Sequence, residues 1–332
     1  VVWTPSGAQE FIMTIFGGKK DAALNSLNDV QSATLLSPSN SLHINHQGTD
    51  KIGQAPSTTQ HSLTQLAIDG RIGSSRGTSS GRDNIFITFS CSTHSIDSGI
   101  TIPSNAALSI ACTTSLCCEI KCTTGIFFAV SSPKRVSLSG IRITGEGGEH
   151  SQNNKQAEVL IAGSSLTESV TLTSLHFSSH TGTRGLHLRS VTAILSSSTF
   201  ENCEISNNDG GGALYIEGSS TLTMTSTSFR SNSASSSGGA IAVRSSSTLI
   251  SHDLTCENNT ASFGGCLDAA GAKHIVIASS TIRNNNARTD GGGVRVVFSP
   301  LNISASSTVT DNRAGNEGGG VHLLGDARTT FT

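Results

Sequence analysis

Any chemistry in this chain would have to come from its carboxylates, cysteines and histidines, so their spacing is read first. Cleavage of a glycosidic bond needs two carboxylates set a short distance apart. Asp209 and Asp290 each precede a Gly-Gly corner and read as equivalent positions, but the repeats between them carry Ser237 and Phe263 there. Asp before Gly is ordinary turn chemistry. Asp268 falls near His252 and Asp253 only loosely, and the chain has neither an adjacent Asp-Asp pair nor an Asn-Thr-Asp triplet. His43 and His46 have a possible metal-ligand spacing but read as part of a polar loop. Gly-rich nonapeptides with a repeated Asp, which a calcium β-roll needs, are missing. No catalytic residue, no cofactor-binding residue and no metal ligand is assigned, and no cofactor is expected.

The eight cysteines fall into two groups. Cys91, Cys112, Cys117, Cys118 and Cys122 crowd one stretch, while Cys203, Cys256 and Cys266 lie apart. The cluster lacks the paired CxxC spacing of a zinc ribbon. Disulfides suit an extracellular protein, although spacing does not give their pairing. Cys256 and Cys266 read equally well as a bridge across a turn or as two buried thiols. Asn258-Asn259-Thr260 and Asn302-Ile303-Ser304 are glycosylation sequons, with Asn258 and Asn302 as acceptors.

The elements that would position these residues follow from composition and period. Charged residues make up 13% of the 332 and aromatic residues 4%. About 25% charge is usual, so the chain suits a narrow core of Val, Ile, Leu and Ala rather than a wide one. Net charge is −2, and no basic block is interleaved with aromatics, so nucleic-acid binding is not expected. No apolar run has the length of a membrane-spanning helix. No signal peptide is evident, and the chain reads as a mature product or an excised fragment.

A Gly-Gly pair begins at Gly211, Gly238, Gly264, Gly291 and Gly318, at intervals of 27, 26, 27 and 27. A second block reads Phe229-x-x-Asn232-x-Ala234, Cys256-x-x-Asn259-x-Ala261, Ile282-x-x-Asn285-x-Ala287 and Val309-x-x-Asn312-x-Ala314, with a worn copy at Phe200-x-x-Cys203-x-Ile205. A third pairs Leu222 with Met224, Leu249 with Ser251, Ile275 with Ile277, and Leu301 with Ile303. Short alternating runs separated by Gly, Ser, Asn and Asp are strands separated by turns. Such a unit repeated about every 27 residues describes an all-β, right-handed parallel β-helix with three short strands per coil. Asn232, Asn259, Asn285 and Asn312 would stack at one bend, where Asn tolerates left-handed backbone. The Gly-Gly pairs would supply positive φ and close approach. A leucine-rich repeat would need Leu where this chain has Thr225 and Thr227.

Upstream the pattern loosens. Leu108/Ile110, Val136/Leu138, Val170/Leu172 and Ala193/Leu195 fit the same strand as Leu222/Met224, and Ile100/Ile102 with Ile126/Phe128 fit a second. The polar stretch Gly145 to Gln156 reads as a bulging loop. The expected division is 1–84 as an N-terminal cap or irregular coils and 85–332 as β-helix, regular from about 200. Ala22 to Val30 reads as a short helix.

Full matches to the tetrapeptides GGA[ILV] and FxxN occur at Gly211-Gly212-Ala213-Leu214, Gly238-Gly239-Ala240-Ile241 and Phe229-Arg230-Ser231-Asn232. Over roughly Phe200 to Leu324 the chain resembles the chlamydial polymorphic outer-membrane proteins and related microbial surface proteins. The resemblance implies a β-helical adhesin or structural surface protein. The expectation is a non-catalytic, secreted or cell-surface rod whose partners are glycans, cell-surface proteins or further copies of itself in filaments or arrays. The alternative is a polysaccharide-active lyase or glycoside hydrolase.

Overall fold

A computed structural model describes the strands Met13–Phe16, Ser41–Gln47, Asn84–Phe89, Thr93–Ile96 and Ile100–Ile102 and, with short interruptions, residues 107–331. Every strand pairing among the described residues is parallel, and these residues contain no helix. The strands form sheets of nineteen, nine and five members, each a face of one solenoid. One regular coil shows the plan. Leu214–Glu217 lies in the nine-stranded sheet, Thr221–Arg230 in the nineteen-stranded sheet and Ser233–Ala234 in the five-stranded sheet. A Gly-Gly corner then returns the chain to Ile241–Arg244, beneath Leu214–Glu217.

Alternation builds each face. In Thr221–Arg230 the inward residues Leu222, Met224 and Phe229 are buried, with polar residues between them. The register stacks inward residues in columns: Leu108, Val136, Val170, Ala193, Leu222, Leu249, Ile275 and Leu301 succeed one another without a break. The neighbouring column runs Ile120, Ile143, Phe177, Phe200, Phe229, Cys256, Ile282 and Val309. Its three Phe rings stack face to face, with centroids 4.7 and 4.8 Å apart. That spacing is the inter-strand distance of about 4.8 Å, so the backbone repeat itself sets the ring contact. Each buried Phe contributes roughly 1.5–3 kcal/mol.

Four sequence expectations are adjusted. The Leu222/Met224 and Phe229 stretches belong to one long strand, and Asn232 turns the corner that separates Phe229 from Ala234. The long strand bends at Ser226, which takes positive φ, so one strand covers two columns. Ile100 and Ile102 pair with Phe128 and Val130, two residues further on than alternation alone suggested. Ser41–Gln47, which contains His43 and His46, is a strand paired with Asn84–Phe89 and not a loop. Residue 290 stacks beneath Phe263, Phe263 beneath Ser237, and Ser237 meets Gly210, so Gly210 and not Asp209 is the counterpart of Asp290. Asp209 itself, the stretch Ala22 to Val30 and most of the loop after Gly145 lie outside the described residues.

The five-stranded sheet starts at Glu204–Ile205, one coil before Asn232, the first Asn of its column. Upstream of Ser41–Gln47, Met13–Phe16 extends the largest sheet by another parallel strand.

Candidate functional site

Three systems of side chains run along the solenoid axis: polar columns inside, ion ladders on two faces, and an uncharged outer lane. The Asn column is the deepest. Asn232, Asn259 and Asn285 are buried and linked in series. Asn259 Oδ1 accepts from the Asn232 main-chain N (2.8 Å) and from Asn232 Nδ2 (3.0 Å). Asn259 Nδ2 donates to Asn285 Oδ1 (2.9 Å) and to the Phe229 carbonyl (3.2 Å). Asn285 and Asn312 repeat the pattern. Each carboxamide thus satisfies main-chain groups that a corner removes from the strand ladder. The residue with left-handed backbone is the one before each ladder Asn: Ser231, Asn258, Asn284 and Asp311 all have φ between 54 and 60°.

The column continues upstream without Asn. Cys203 N donates to Asn232 Oδ1 (3.0 Å). Glu204 N bonds the His180 carbonyl (2.6 Å), which places His180 one coil before Cys203. His180 Nε2 donates to the Ile143 carbonyl at 3.1 Å, the bond that Asn232 Nδ2 makes to Phe200. His180 Nδ1 then lies 3.3 Å from Glu158 Oε1, which also accepts from Thr183 Oγ1. The pattern Phe177-x-x-His180 carries the signal in the sequence, but it is visible only once Phe177 is known to stack on Phe200. Burial drives the Cys203 thiol far above its ordinary pKa, with the Glu158 and Glu201 charges adding to the rise. The thiol is a buried spacer rather than a nucleophile.

The Gly-Gly pairs divide their work. The first glycine has positive φ, from 60° at Gly264 to 67° at Gly211. The second supplies room: a methyl on Gly239 would strike the Gly265 carbonyl oxygen, and one on Gly265 that of Gly292. Two serine columns, unforeseen from the sequence, serve the other corners. Ser220, Ser247 and Ser299 accept main-chain N–H groups from the coil before (2.8–3.2 Å), and Ser198, Ser280 and Ser307 do the same at the bend (3.1–3.2 Å). Serine abundance hides them, because exposed serines look the same in sequence. A disulfide joins Cys256 in the Phe column to Cys266 beside a Gly-Gly corner, and another joins Cys112 to Cys118.

Outside, in-register parallel stacking would place like charges side by side, so signs must alternate. On the largest sheet Glu201, Arg230, Glu257 and Arg283 succeed one another. Glu257 bonds Arg230 (3.1 Å) and Arg283 (2.7 Å), and Glu201 bonds His176 (2.8 Å). On the nine-stranded sheet Asp268, only 1% exposed, is held by Arg244 at 2.6 Å and Arg295 at 3.0 Å, and Arg295 lies over the Phe263 ring. Glu217 bonds His187 on the same face. Asp268 and the pair His252/Asp253 lie on different sheets and are not brought together. Of the sequon residues, Asn258 is exposed at its corner, while Asn302 points outward between buried Leu301 and Ile303. No group of three His, Cys, Asp or Glu among the described residues has metal-binding geometry.

The third system is the outer surface of the other half of the largest sheet. Its central column runs Thr171, Ile194, Thr223, Ile250, Val276 and Asn302. Flanking columns carry Ser, Thr, Ala and two histidines, and no Lys, Arg, Asp or Glu enters the lane over these six strands.

The geometry defines a parallel β-solenoid with polar columns in its interior. Residues 157–332, just over half of the chain, match the family described as Right handed beta helix region, and the chain belongs to that family. Its members include adhesins and polysaccharide-active enzymes alike. Comparison with curated proteins and with solved structures gave no match. No helix among the described residues is long and apolar enough to cross a membrane, and the two disulfides fit an extracellular or surface protein.

Proposed function

We propose that this chain is a non-catalytic, rigid rod at the cell surface or outside the cell, which binds through its repetitive faces. The observation that carries the reading is the engagement of the carboxylates on the outer faces. Asp268, Glu257, Glu217 and Glu201 each meet a cationic or imidazole partner within 3.1 Å. Glycosidase chemistry needs one carboxyl group to give a proton and a second to act as base or nucleophile. Carboxylates fixed in ion ladders are poorly placed for either role. What the faces offer in quantity is hydroxyl groups, which bind without reacting. The likeness of the GGA[ILV] and FxxN tetrapeptides to those of microbial surface proteins supports the same reading.

The test is to incubate the purified chain with acidic and neutral polysaccharides, measuring new reducing ends and unsaturated uronides, and in parallel to score binding to cells. Saturable binding with no cleavage is expected. Turnover abolished by Asp268→Asn would establish the polysaccharide-active alternative. Filaments or arrays in electron micrographs of the pure protein, without saturable binding, would favour a structural polymer.

A further inference from the structure

We infer that the uncharged lane is the binding face, and that its ligand is an extended, neutral polysaccharide lying along the solenoid axis. This rests on the binding-rod reading and names its ligand class. Three features of the lane converge. First, it carries no Lys, Arg, Asp or Glu, whereas the same sheet beyond its bend carries the Glu201–Arg230–Glu257–Arg283 ladder, past the outward column of Thr199, Ser228, Thr255 and Thr281. A lane with no Lys or Arg offers no fixed cation to a uronate, phosphate or sulfate, and one with no Asp or Glu offers nothing to a basic partner.

Second, its chemistry is mixed in the way a sugar ring is mixed. Ile194 is 51% exposed and Ile250 38%, and with Val276 they form a narrow aliphatic centre. Hydroxyls flank them, and few of these are used internally; Ser196 Oγ to Thr173 Oγ1 at 3.3 Å is a bond between neighbouring rows. A pyranose presents C–H groups on its ring face and hydroxyls at its rim, so it can seat on the aliphatic centre and bond to the columns on either side. Each Ser or Thr hydroxyl both donates and accepts, which suits a rim of the same kind.

Third, the dimensions disfavour a protein partner. Six strands about 4.8 Å apart and five residues across make a patch of roughly 29 by 17 Å, on the order of 500 Å². Two such patches face to face would bury about 1,000 Å², below the ~1,200–2,000 Å² of stable interfaces. A polymer chain needs no such area at one point. It repeats weak contacts along successive coils, so its affinity should climb with chain length.

The experiment uses the full chain at neutral pH. Pull-down on insoluble cellulose, chitin and β-1,3-glucan is followed by calorimetry with length series of the matching soluble oligosaccharides. Binding to at least one neutral polymer is expected, rising at least tenfold from disaccharide to hexasaccharide. Thr223→Glu and Ile250→Glu, both outward-facing, should each lower binding at least tenfold, whereas Arg313→Glu on the five-stranded sheet should not. Thr171→Glu tests the same lane if either variant fails to melt cooperatively. Binding unaffected by charge in the lane, binding confined to acidic polymers, or a dimer by sedimentation that lane charges dissociate would each overturn the assignment. Cleavage of any of these polymers would instead overturn the non-catalytic reading, so the two failures are told apart.

Discussion

Asn259→Leu removes one side chain from the middle of the Asn column while keeping its approximate volume. Two main-chain groups lose the partner described above: the Asn232 N–H, which donates to Asn259 Oδ1, and the Phe229 carbonyl, which accepts from Asn259 Nδ2. Asn285 Oδ1 keeps the Asn259 main-chain N–H, and Asn232 Nδ2 keeps the Phe200 carbonyl. Each orphaned buried group costs about 1–3 kcal/mol. The two together cost about 2–6 kcal/mol, and the added apolar burial offsets part of that, leaving a net loss of about 1–4 kcal/mol. At roughly 2–4 °C per kcal/mol for a unit of 150–250 residues, the melting temperature should fall by at least about 2 °C. Scanning calorimetry measures the fall. Hydrogen exchange locates it, because the Asn232 amide should lose protection before amides in distant coils, as nearest-neighbour coupling in a solenoid requires. Asn312→Leu, at a half-buried position, should cost less than half as much. A shift under about 2 °C for Asn259→Leu, or equal shifts for both variants, would refute the view that buried main-chain groups depend on the column.

The remaining predictions concern corners, cysteines and surface charge. Gly265→Ala forces a methyl into the Gly292 carbonyl and should prevent cooperative folding, whereas Gly271→Ala, with open space around it, should cost only about 1–2 kcal/mol of left-handed strain by urea titration. Replacing Cys256 and Cys266 together by Ala opens a bridge spanning 10 residues and should lower stability by about 3 kcal/mol, while reductant should destabilise the natural chain and spare that variant at this site. Cys203 is protonated more tightly when folded than when unfolded. Its contribution is therefore fully present below the unfolded thiol pKa of about 8.5 and is lost as pH rises toward the folded value. Cys203→Ala should flatten the alkaline fall in stability above about pH 8.5, measured as denaturant midpoint against pH, and an unchanged slope would contradict the burial of the thiol. Glu257→Lys would line up three cations with Arg230 and Arg283 and should cost about 1–2 kcal/mol, partly recovered in 1 M salt.

Much of the fold was legible because a solenoid writes its register into the sequence as a period. Gly-Gly at 27, 26, 27 and 27 residues fixes which residues stack, and two-residue alternation fixes which of them face inward. The column from Leu222 to Leu301 follows from those two facts, and alternation alone extends it back to Leu108 across coils of unequal length. Where period and alternation fail, so does reading by eye. Ile100 was matched to Ile126 instead of Phe128 because alternation leaves register uncertain by multiples of two. Asp209 was aligned with Asp290 because a third glycine, Gly210, blurred the start of the pair.

The sequence by itself determined the parallel solenoid, its coil length and its inward columns, since these depend on local pattern repeated at a fixed interval. Only the tertiary structure decided which polar residues face inward. Ser220 and Ser247 are buried while Ser219 and Ser246 next to them turn outward with positive φ. Only it showed that His180 and Cys203 extend the Asn column, that Cys256 reaches Cys266, and that Asp268 lies between Arg244 and Arg295. The physical reason is that a hydrophobic side chain is buried for what it is, whereas a polar one is placed by the partner it finds, and here many of those partners lie on another coil, 23 to 37 residues along the chain.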